Sequence, residues 1–99
     1  MNDVSKFVDN LPAGLRAKYF RLASAMKEHG PNLGLPHTRA MSGGLFELRI
    51  NVAGNAGRVF YCTLSGRRII MLRGFIKKSR KTPTREINIA KRRLAEVKK

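Results

Sequence analysis

Apolar residues recur along this chain at two different spacings, and the spacings divide it into elements. Leu15, Tyr19, Leu22 and Met26 return at steps of 4, 3 and 4, which is one face of a helix and predicts one from about Ala13 to His29. Pro12 suits its first turn and Gly30-Pro31 stops it. Ahead of it, Asp3 can cap a short helix running through Asn10 and ended by Leu11-Pro12. The two together predict a helical hairpin packed by one face.

The spacing changes after a turn-rich stretch, residues 30–44, that holds Gly30, Pro31, Gly34, Pro36, Gly43 and Gly44. Over residues 45–52, Phe46, Leu48, Ile50 and Val52 alternate strictly with Glu47, Arg49 and Asn51, the pattern of a half-buried strand. Gly54-Asn55-Ala56-Gly57 is expected to turn the chain into a second strand, residues 58–64, and Ser65-Gly66 into a third, residues 67–75. Thr82 as N-cap and Pro83 at the first helical position then open a last helix with Glu86 in its first turn. Its apolar stripe is Ile87, Ala90, Leu94 and Val97. The order α-α-β-β-β-α, with short links, predicts an α+β fold: helices against one face of an antiparallel three-stranded meander.

At 99 residues this is a single domain, residues 1–99, and a hydrophobic content of 42% is enough to pack a core. No apolar run approaches a membrane span, and the first residues lack the hydrophobic core of a signal peptide, so a cytoplasmic protein is expected. Cys62 is the one cysteine and there are two histidines, which excludes an internal disulfide and a structural zinc site built from Cys and His alone.

Charge sharpens the picture. The formal net charge is +15, and it is uneven: residues 67–99 carry 13 basic and 2 acidic side chains, against 8 and 4 before them. The segment Arg73 to Arg85 alone holds six cations and no acid. Cations at that density repel one another, and a polyphosphate partner is the usual compensation. A solvated basic tail and an anionic membrane surface are the plainer alternatives, but the run is continuous with strand and helix patterns.

Chemistry is limited by what is missing. There are no paired carboxylates, no glycine-rich phosphate loop between a strand and a helix, and no Ser/His/Asp arrangement; no metal ligands or cofactor are expected. What the strands supply is arginine. Arg49 lies on the polar face of the first strand with Glu47 and Asn51, Arg58 opens the second, and Arg73 lies near the end of the third. Guanidinium forks match phosphate oxygens, and cleavage of RNA by its own 2′-OH needs that kind of charge stabilisation together with acid and base assistance. The bland reading is that these arginines are solvated or paired to Glu47. Phe75 beside the basic run can stack on a base or close the core. His37 is the loop histidine able to approach the sheet, or a surface residue. Cys62 reads as a small buried hydrophobe, Tyr61 as a polar candidate or a core aromatic, and His29 as a helix-terminus residue.

Four segments together resemble the HigB-like, phage-derived branch of the RelE/ParE toxin superfamily. They are Leu11-Pro12 with the basic helix after it, Gly30-Pro31-Asn32-Leu33-Gly34-Leu35-Pro36, Gly44-Leu45-Phe46-Glu47-Leu48-Arg49 leading to Arg58-Val59-Phe60-Tyr61, and Leu72-Arg73-Gly74-Phe75-Ile76-Lys77-Lys78 through Lys81-Thr82-Pro83. The resemblance implies a RelE-like toxin of a type II toxin–antitoxin pair, neutralised by a cognate helix-turn-helix antitoxin. It further implies cleavage of mRNA on the ribosome without a metal. By position, Arg58 becomes the phosphate or transition-state ligand, while Lys77 and Lys78 hold RNA or ribosomal backbone. Relatives often carry His where this chain has Arg73, and an arginine there stabilises charge but moves no proton. General acid–base work then falls to His37, a lysine or ribosomal groups. Relatives also carry a strand before the first helix, so the sheet is expected to lack one edge strand.

These readings converge on a ribosome-dependent endoribonuclease. Arg58, Arg73 and His37 are its catalytic candidates, and Arg49, Phe75, Lys77, Lys78, Arg80 and Lys81 its RNA- or ribosome-binding ones. The rivals are a non-enzymatic toxin such as a gyrase inhibitor, and a non-toxic nucleic-acid-binding module.

Overall fold

The computed structural model describes residues 2–65 and 67–98. Helices α1 (Asn2–Asp9) and α2 (Ala13–His29) come first, then strands β1 (Thr38–Ala40), β2 (Phe46–Val52), β3 (Asn55–Leu64) and β4 (Arg68–Ile76), and last helix α3 (Thr84–Val97). The sheet is antiparallel in the order β1-β2-β3-β4, and the fold is α+β as its pattern predicts.

The stripe on α2 does what its spacing implies: Leu15, Tyr19, Leu22 and Met26 are all buried. They meet Val4 and Val8 of α1 and the apolar row Leu48, Ile50, Val59 and Tyr61 on one face of the sheet. Tyr61 belongs to this core, stacked on Phe46 with ring centroids 5.3 Å apart and donating its hydroxyl to the Pro31 carbonyl. Phe7 of α1 lies so close over Gly74 that a Cβ there would overlap its ring, which accounts for a glycine inside a strand.

Helix α3 departs from expectation. It packs on the opposite face, where Ala90 and Leu94 join Leu45, Phe60, Cys62, Leu72 and Phe75 in a second core, with Ile87 and Val97 against it. The sheet is therefore covered on both faces, not one. An alternating strand exposes two faces, and β3 is apolar on both: Val59 and Tyr61 point to one side, Phe60 and Cys62 to the other.

Three local features also differ. β1, three residues long, pairs with β2 inside the stretch expected to be all turn, so the sheet has four strands instead of three. The β2–β3 turn is Ala53-Gly54, both with positive φ (48° and 84°), and β3 begins three residues before Arg58. That is the two-residue turn whose twist matches paired strands. Pro83, not Thr82, occupies the N-cap position of α3, with ψ at 129° and its carbonyl accepting from the Glu86 N–H. Gly66, half of the expected β3–β4 hairpin turn, lies outside the described residues. A register shift between Phe60 and Tyr61 leaves Leu72 as an extra residue on β4.

Candidate functional site

The polar face of β2 is the starting point. Its alternation sends Glu47, Arg49 and Asn51 away from the helical hairpin, and the register sets each opposite a named neighbour: Glu47 faces Arg39 on β1 and Phe60 on β3, and Arg49 faces Arg58 on β3. With α3 packed over β3 and β4, the β1–β2 end of this face is left with Arg39, Arg49 and Glu47, and Arg58 adjoins them from the start of β3.

Glu47 is 1% exposed. Its Oε1 is 3.3 Å from Arg49 Nη1 and 3.7 Å from Arg39 Nε, while its Oε2 is buried without a hydrogen-bond partner among the described residues. Arg58 is 4% exposed; Nη1 donates to Asn51 Oδ1 at 2.9 Å and to the Gly57 carbonyl at 2.8 Å, and its buried Nε has no partner among the described residues. Burial, then the charge of Arg49, lower the pKa of Arg58, with Glu47 opposing and Arg39 adding to the drop. The group remains a cation all the same.

Each unpartnered buried polar atom costs roughly 1–3 kcal/mol, so such atoms are rare in a folded core and call for a reason. These two are complementary. A guanidinium N–H wants an anion, and a carboxylate oxygen wants an O–H or N–H donor. A phosphodiester beside a ribose hydroxyl offers both. Sequence reasoning treats Glu47 only as a charge partner for arginines; the available signal is that it is the single acid on the polar face of an arginine-bearing strand.

Arg73 lies elsewhere. Its Nε donates to Glu86 Oε1 at 2.5 Å and its Nη1 to Asp3 Oδ2 at 3.2 Å, while Arg93 Nη1 donates to the same Asp3 oxygen at 2.7 Å and to the Leu72 carbonyl at 2.8 Å. This network ties α1 and α3 together across the outer edge of β4. The hydrogen bond to Glu86 raises the pKa of Arg73, against burial and with help from Asp3. Phe75 is 7% exposed and packs on Phe60 at 5.6 Å, so its ring is a core element with no face left for a base. His37 lines a groove on the α2 side, although its carbonyl accepts from the Arg49 N–H at 2.8 Å. Lys77 is half-buried, and Lys78, Arg80 and Lys81 are exposed on the loop between β4 and α3. Of the sequence candidates, the structure brings together Arg49 and Arg58, and adds Arg39 and Glu47.

Among the described residues no three His, Cys, Asp or Glu side chains converge as metal ligands, and no helix is long and apolar enough to cross a membrane.

Two helices on an antiparallel sheet closed by a C-terminal helix are compatible with the fold of RelE-like toxins. Residues 6–95 match the sequence profile of the phage-derived Gp49-like proteins (DUF891), and the chain belongs to that family, one of the RelE/ParE-like toxin superfamily. Gp49-like proteins are associated with the toxins of toxin–antitoxin systems in general. No curated protein matches the chain.

Proposed function

We propose that this protein is a HigB-like toxin of a type II toxin–antitoxin pair that cuts mRNA on the ribosome in the cytoplasm, with a helix-turn-helix antitoxin as its neutralising partner. The observation that carries the reading is the buried Glu47–Arg58 pair of unsatisfied atoms, Oε2 and Nε, on one face of the sheet. In this mechanism Arg39 and Arg49, the more exposed pair at 49% and 26%, turn from Glu47 to the phosphate and uncover its carboxylate. Glu47 takes the 2′-OH proton, the 2′ oxygen attacks phosphorus in line, and the bond to the 5′ oxygen breaks, leaving a 2′,3′-cyclic phosphate. Arg58, reached when Arg49 opposite it turns away, stabilises with Arg49 and Arg39 the charge that builds on the phosphoryl oxygens. Arginines give up no proton near neutral pH, so the departing 5′ oxygen takes its proton from water or from the ribosome. Lys77, Lys78, Arg80 and Lys81 supply backbone contacts in the same reading.

Primer extension on an mRNA in a reconstituted translation reaction tests this. New stops within the ribosomal A site, lost with Arg58→Ala, are expected. No stops with wild type, at a concentration that halts growth when the protein is produced in cells, overturns it.

A second reading, a non-enzymatic toxin such as a gyrase inhibitor, draws on Arg73. Its guanidinium is committed to Glu86 and Asp3, and an arginine moves no proton near neutral pH, so it supplies no acid or base for cleavage at that place. Damaged DNA with intact mRNA after induction favours that reading.

A further inference from the structure

A second polar groove lies on the other side of the sheet from Glu47, between α2 and the loop that leads into β1, with a volume of about 700 Å³. Both histidines of the chain line it, His29 and His37, together with Lys18, Arg21 and Asn32; among the described residues no carboxylate lines it, and the acid Glu28 lies beside it with Oε2 3.9 Å from His29 Nε2. Asn32 is oriented: its Oδ1 accepts from the Gly34 N–H at 3.2 Å and from the Thr38 hydroxyl at 3.0 Å, so its amide N–H groups are the part left to a ligand. The polar lining is thus rich in donors, which selects an anion. The apolar part of its lining, Leu22, Ala25 and Leu33, suits the flat face of a base.

The groove also adjoins the cluster described above. Lys18 Nζ donates to the Asn51 carbonyl at 2.9 Å, and the side chain of the same Asn51 holds Arg58. His37 is two residues from Arg39, across the start of β1, an edge strand three residues long. A polymer crossing that edge meets cations on both sides.

We infer that this groove holds nucleotides flanking the cleaved phosphate on the same single-stranded RNA, with Arg21 and Lys18 on the backbone and a base over Leu22 and Leu33. The inference rests on the nuclease reading for its ligand, and binding tests it without catalysis. The probes are labelled 2′-O-methyl oligoribonucleotides of four and ten nucleotides, which cannot be cut, read by fluorescence anisotropy. The ten-mer is expected to bind wild type more tightly than the tetramer, and Arg21→Ala to weaken the ten-mer roughly tenfold or more while leaving the tetramer unchanged. Arg16→Ala removes the same charge from an exposed position of α2 outside the groove and serves as control.

Equal weakening by Arg16→Ala and Arg21→Ala overturns the proposal in favour of general charge attraction, as does a wild type that does not prefer the ten-mer. If Arg21 governs ten-mer binding but ribosome-bound mRNA stays intact, the groove stands and the nuclease reading falls. If mRNA is cut and Arg21→Ala binds the ten-mer as wild type does, the groove falls alone.

Discussion

Arg49 and Arg58 stand directly opposite each other across the β2–β3 pair, two cations in register on the same face of the sheet. Like charges in that position destabilise a strand pair. The protein keeps both, with Glu47 holding Arg49 and Asn51 holding Arg58, and leaves the Arg58 Nε without a partner among the described residues. A position selected for folding alone would carry an apolar side chain.

Arg58→Met therefore separates folding from function. Replacing a buried charge by an apolar side chain of similar length is expected to be neutral or to stabilise by up to about 2 kcal/mol. Urea denaturation measures this, and growth arrest on induction is expected to disappear in the same variant. A loss of more than about 3 kcal/mol contradicts the assignment of Arg58 to ligand binding.

Arg73 is expected to behave in the opposite way. Its side chain, 24% exposed, joins Asp3 on α1 to Glu86 on α3. Arg73→Gln should cost about 1–3 kcal/mol, between the values for exposed and buried pairs. Cleavage per folded molecule should change by no more than a few-fold. A variant that folds normally and fails to cleave places Arg73 in the reaction after all.

Acid stability carries a signature of Asp3. Burial raises its pKa, but the hydrogen bond and charge of Arg93, then the bond from Arg73, outweigh that and hold it below the ordinary value of 3.8. A carboxylate depressed on folding contributes stability that is fully present above its unfolded pKa and is lost as pH falls through the folded one. The stability difference between wild type and Asp3→Asn should accordingly be constant above about pH 5 and shrink below about pH 4. Urea midpoints at pH 7, 5, 4 and 3 measure it; a difference that widens toward low pH contradicts the ion-pair network.

The β2–β3 turn holds a small strain. Ala53 has φ at 48°, where a Cβ crowds the backbone, and the next residue is Gly54. Ala53→Asn gives the residue pair best suited to this turn and is expected to stabilise by about 0.5–1 kcal/mol. Thermal unfolding should shift upward by roughly 2–8 °C; no shift or a fall contradicts the turn geometry.

The elements with long, regular spacing were legible in the sequence. The stripe from Leu15 to Met26 placed α2 at its observed bounds, and alternation from Phe46 to Val52 gave the inward and outward faces of β2. β1 was not legible, because three residues cannot show a period and Thr38–Ala40 sits among prolines and glycines. Its existence depends on backbone pairing with β2. The face chosen by α3 was hidden for a related reason: a helix stripe says that a face is buried, not which side of a sheet buries it. Phe60 and Cys62, apolar between apolar neighbours on β3, were the available sign of a second core. Arg49 and Arg58 were legible as strand arginines. The burial of Glu47 was not, since it needs β1 and β3 on either side of β2.

In the proposed reaction Glu47 takes the 2′-OH proton at a phosphate held by Arg58. Single-turnover cleavage of mRNA on programmed ribosomes, wild type against Glu47→Gln, tests it most directly. The amide keeps the shape, loses the base and removes a negative charge beside the phosphate, so ribosome and RNA binding should be unchanged or tighter. The cleavage rate should fall by roughly 10²- to 10⁴-fold. Equal rates for the two proteins, at equal binding, contradict the account.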